Sequence, residues 1–121
     1  MTAGFAHGLL IVAAPGSTDA HEDWDPASEP VHAGPDSLYV SVVSTPSGLA
    51  TIACFDGADF PPDLVRIYSG ELRLESRKFL LHDPNETVLL TVLTDSSRVR
   101  IDLFGDDPED PSTLQIFVNP I

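Results

Sequence analysis

The chain has one cysteine, Cys54, so no disulfide can form within it. Its setting in Thr51-Ile52-Ala53-Cys54-Phe55 marks a buried structural thiol rather than a nucleophile at an exposed turn. Positive charge is scarce. Six Lys+Arg stand against 19 Asp+Glu in 121 residues, a formal net charge of −13. A surface this anionic excludes direct binding to nucleic acid or to an anionic membrane, because phosphate recognition needs a cationic face. No apolar run reaches the length of a membrane span. The apolar residues 9–14 follow a segment with no Lys or Arg, so the positive part of a secretory signal is missing. They read as a strand, and the expected location is cytoplasmic.

Catalytic signatures are also missing. No Gly-x-Ser-x-Gly elbow and no phosphate-cradling glycine loop occurs. The four histidines, His7, His21, His32 and His82, have no zinc-ligand spacing, and Cys54 is the only thiolate donor. His7 reads as a wall residue of a strand. The expectation is a protein that is not an enzyme and carries no cofactor, with calcium the one ion left open. Asp19-Ala20-His21-Glu22-Asp23-Trp24-Asp25 and Asp106-Asp107-Pro108-Glu109-Asp110 supply enough oxygen for calcium, but neither follows the EF-hand order.

What is present has a period of two. Arg98-Val99-Arg100-Ile101-Asp102-Leu103-Phe104 directs Val99, Ile101 and Leu103 inward and its charges outward. Residues 70–77 alternate in the same way around Leu72 and Leu74. Residues 37–44 and 49–55 are β-branched and aromatic, and Thr45-Pro46-Ser47-Gly48 between them suggests a hairpin. Residues 87–94 are apolar on both faces, as in a central strand, and Asp95-Ser96-Ser97 suggests a second hairpin into residue 98. Residues 112–118 form the closing strand. Eleven prolines and eight glycines interrupt any helical stripe. About eight strands in a chain of one-domain length predict an all-β fold, a single antiparallel β-sandwich over residues 1–121. A closed barrel is the alternative.

Residues 15–36 form a long acidic loop with Trp24, the only tryptophan, in its middle. Trp24 either anchors this loop or is an exposed contact residue. The second acidic segment is the Pro-bounded connector from Gly105 to Pro111. All six basic residues lie between 66 and 100, where five carboxylates reduce the balance to +1, so the rest of the chain carries −14. Acidity concentrated in loops suits a basic protein partner, such as a nuclease or toxin, whose approach it would speed. The candidate partner-binding residues are Glu22, Asp23, Trp24, Asp25, Asp106, Asp107, Glu109 and Asp110. The expected function is thus a non-catalytic acidic protein-binding module. The alternatives are a calcium-stabilised sandwich that binds a small ligand, and an assembly subunit that pairs through strand edges.

The order of elements carries a resemblance. Trp24 in an acidic loop and the Gly34 turn precede paired strands. The Leu72-Arg73-Leu74 strand, residues 98–104, an acidic Pro-containing turn and a last strand ending at Pro120 then follow. This order resembles the ComJ family of small acidic β-rich competence proteins that inhibit a partner DNA nuclease. The resemblance implies a nuclease inhibitor or immunity-type binder of bacterial kind, with acidic loops on the enzyme.

Overall fold

The computed structural model describes residues 2–5, 8–17, 29–44, 48–57, 59–85 and 89–121. Ten strands run through them, and no helix occurs among the described residues. They are β1 (Thr2–Ala3), β2 (Leu9–Ala13), β3 (Val31–Ala33), β4 (Ser37–Ser41) and β5 (Ala50–Asp56). The others are β6 (Val65–Arg73), β7 (Lys78–His82), β8 (Leu89–Leu93), β9 (Arg98–Gly105) and β10 (Thr113–Pro120). One sheet has the order β1-β5-β10-β9-β6 and the other β3-β4-β2-β7-β8. Neither sheet closes on itself, so the fold is a sandwich and not a barrel.

Alternation along the strands builds the interlayer core. Leu10, Val12, Leu38, Val40, Phe79 and Leu81 from one sheet face Ile52, Leu72, Val99, Ile101, Leu103, Leu114 and Ile116 from the other. All of them are at most 1% exposed. Each such side chain contributes about 1.5–3 kcal/mol by leaving water, the main force holding the layers together. Every paired strand is antiparallel except β5 and β10, which run parallel from Thr113↔Thr51 to Val118↔Asp56.

Neither hairpin expected from the sequence forms. β4 and β5 lie in different sheets, and the chain between them crosses from one layer to the other. Val42 and Ala50 are buried at that crossing, and the Val43 N–H donates to Pro111 O at 3.1 Å. β8 and β9 are likewise in different sheets. The reason is β7, a strand the sequence reading did not identify. β7 and β8 pair with each other, while β6 and β9 pair in the opposite layer. The four strands thus form one long hairpin bent over both layers. Its two bends, at residues 74–77 and 94–97, are joined by Leu74 N–H to Ser97 O at 2.7 Å and Thr94 N–H to Arg77 O at 2.8 Å. Arg77 takes a left-handed backbone conformation, φ 56°, within the first bend.

Two further expectations are corrected. β8 is an edge strand rather than a central one, which leaves Leu93 78% exposed. The segment 15–36 is not loop throughout, because Val31–Ala33 pairs with β4. His7 lies outside the described residues. No helix of the described residues is long and apolar enough to cross a membrane.

Candidate functional site: the acidic connector and its surroundings

The connector grows from the end of the β9–β10 ladder. Gly105 pairs with both Val65 and Leu114, and a Cβ there would stand 2.7 Å from Ile67 Cδ1 and 2.9 Å from Pro111 Cβ. The close approach of three strands' ends therefore requires glycine. Pro111 is buried, whereas residues 106–110 between these anchors are all exposed.

Two of the four carboxylates shape the loop. Asp106 Oδ1 accepts the N–H groups of Ser112 at 2.9 Å and Thr113 at 3.1 Å, and its Oδ2 accepts the Ser112 hydroxyl at 2.6 Å. Asp107 Oδ1 accepts the N–H groups of Glu109 at 2.8 Å and Asp110 at 3.0 Å. Partial burial pushes the Asp106 carboxyl upward, but these hydrogen bonds outweigh it and hold the group below the usual 3.8. The backbone N–H groups of Asp110 and Glu109 lower Asp107 in the same way. Glu109 and Asp110 are the pair presented outward. Among the described residues the Glu109 carboxylate makes no hydrogen bond, and Asp110 Oδ1 meets only the Ser41 hydroxyl, at 3.4 Å.

Ser41 also ties in the long acidic loop. Its N–H donates to Pro30 O at 2.8 Å, so Glu29-Pro30 lands beside the connector. Asp106, Asp107, Glu109 and Asp110 are thus brought together by the fold. Glu22, Asp23, Trp24 and Asp25 lie outside the described residues.

A second feature escaped the sequence reading. Asp102 is on the outer face of β9, as alternation requires, yet it is 1% exposed. Its row on that face contains Phe55, Phe117 and Ser69. Phe55 stacks on Phe117 with centroids 5.2 Å apart, and Phe60 covers both Phe104 and Phe117 at 4.8 and 5.1 Å. The Arg66 guanidinium lies over the Phe60 and Phe104 rings, at 5.1 and 5.4 Å. Asp102 is compensated loosely, by Arg100 Nε at 3.5 Å and Arg66 Nη2 at 4.0 Å, and its Oδ1 has no hydrogen-bond partner. Phe104 was the available signal: an aromatic residue following inward-facing Leu103 must lie on the outer face, which marks a cover there.

The described residues hold no group of three or more His, Cys, Asp or Glu side chains that could bind a metal ion. The connector's chemistry is that of a preformed anionic surface, with two carboxylates fixing the backbone and two facing solvent.

No family model matches the chain, and no curated protein matches it. Among solved structures it is similar to "Crystal structure of ComJ, inhibitor of the DNA degrading activity of NucA, from Bacillus subtilis". The likeness covers 100% of this chain and 94% of that one, with a TM-score of 0.76 and 9% sequence identity. At that identity the likeness establishes a shared fold over the whole chain.

Proposed function

We propose that the chain is a non-catalytic inhibitor that binds a basic nuclease through its acidic loops. The observation that carries this reading is the full-length fold likeness to an inhibitor of a DNA-degrading protein. The charge agrees with it, because a net −13 surface complements a groove built for DNA phosphates. Within the connector, Glu109 and Asp110 make the contact, and Asp106 and Asp107 hold the backbone that presents them. Glu22, Asp23, Trp24 and Asp25 take part in the same contact in this proposal. The protein works from the cytoplasm, and its action needs no metal of its own.

The test is capture of partners from the source lysate at low and high salt, followed by a DNA-cleavage assay on what is captured. The expected result is a basic nuclease held at low salt and released at high salt. Its DNA cleavage then falls in proportion to added inhibitor, up to one equivalent. A captured protein whose DNA cleavage is unaffected, or no capture at low salt, overturns the reading.

A further inference from the structure

At the end of the sandwich opposite the connector, the layers leave a cleft of about 250 Å³. Its floor is Cys54, Val92, Val99 and Val118, with Leu93 and Pro120 at the margin. Strand alternation explains the gap. Ile52, Cys54 and Asp56 share the inward face of β5, so the last inward position of that strand is a carboxylate where a core residue would otherwise stand. Asp56 therefore faces the interlayer space from one sheet, and Asp95, from the bend after β8, lines the cleft from the other. Among the described residues neither carboxylate has a hydrogen bond or ion pair, and no Lys or Arg lines the cleft. The floor carries no charge of its own, since burial pushes the Cys54 thiol up to about 11.

We infer that this cleft receives one lysine or arginine side chain of a protein partner. The volume is below that of most small-ligand pockets and suits a single long side chain. The chemistry is graded in the same direction as that side chain. An aliphatic stem packs on Val92, Val99 and Val118, and the cationic head stays at the mouth between Asp56 and Asp95. This inference rests on the reading that the partner is basic, and it adds a second anchoring point to the connector.

The test uses the isolated protein and a probe of the side chain alone, n-butylguanidinium, with n-butylurea as its neutral counterpart. Amide chemical shifts are followed during each titration. A probe this small should bind with a dissociation constant on the order of 1 mM. The expected result is saturable shifts confined to residues 54–56, 92–95 and 118–120, absent with n-butylurea. Asp56→Asn and Asp95→Asn should each weaken binding about threefold, and the double variant about tenfold. Amide positions elsewhere should be unchanged, which confirms that the variants are folded. No saturable shift, equal shifts with n-butylurea, or shifts centred on residues 106–113 overturn the inference. No partner protein takes part, so failure here leaves the capture experiment standing, and failure of capture leaves the cleft's binding standing.

Discussion

Asp106 holds Ser112 twice, by its backbone N–H at 2.9 Å and by its hydroxyl at 2.6 Å, across the exposed residues 107–110 and the buried Pro111. An acidic residue that looks like part of a charged surface is thus a clamp on its own loop.

Acid should loosen the connector before it unfolds the sandwich. Asp106 and Asp107 both lie below the usual 3.8 when folded, so the stability they contribute is fully present above that value. It is lost as the pH falls through their depressed folded values, because protonation removes the acceptors of the Ser112, Thr113, Glu109 and Asp110 N–H groups. Amide shifts of Ser112 and Thr113 should titrate with midpoints below 3.8. Midpoints at or above that value contradict the clamp.

Charge reversal should act differently at the two kinds of carboxylate. Glu109→Lys with Asp110→Lys is expected to slow association with a basic nuclease about tenfold or more at low salt. The melting temperature should scarcely change, as expected of exposed sites. Stopped-flow association with the captured nuclease measures this, and unchanged on-rates remove the connector from the interface.

Gly105→Ala tests the root of the connector. The new Cβ meets Ile67 and Pro111 inside normal contact distance, and overpacking of this kind costs about 1–3 kcal/mol. Urea denaturation should show the loss. The companion change Ile67→Val should recover part of it by withdrawing the nearest methyl group. A Gly105→Ala protein of undiminished stability would mean that the three strand ends are not packed this tightly.

Asp102 and Arg66 should be coupled. Arg66→Ala removes one of two partial counter-charges from a buried carboxylate and uncovers the Phe60 and Phe104 rings, at a cost of about 2 kcal/mol. In an Asp102→Asn background the same change should cost about half as much, since the charge needing compensation is gone. A double-mutant cycle by chemical denaturation measures the difference, and strictly additive effects reject the coupling.

The layered β architecture was legible because period-two alternation is a local signal, clear in residues 98–104 and 70–74. Strand pairing was not, because it is decided by which faces must be buried together. The segment 78–82 reads Lys-Phe-Leu-Leu-His, too short and too uniformly apolar to declare a period, and without it β8 was assigned to β9. Asp95-Ser96-Ser97 is a suitable turn, but turn composition does not distinguish a hairpin from a bend between layers. At the site, the acidic connector was visible as composition. The separate tasks of its carboxylates were not, since Asp106 reaches six and seven residues along the chain for its partners. The Asp56 cleft was also hidden, because the strand read from the sequence ends at Phe55, whereas β5 runs one residue further and turns Asp56 inward beside Val118.

The position of β10 has a consequence for folding. It is the middle strand of its sheet, with β5 on one side and β9 on the other, yet it is the last strand in chain order. The β6–β9 ladder and the other sheet can form before residues 113–120 dock. During that interval β5 and β9 expose facing rows of unpaired backbone groups, separated by the width of one missing strand. Any extended segment of another chain could fill that slot. Docking of residues 113–120 therefore completes this sheet and also removes its most adhesive surface.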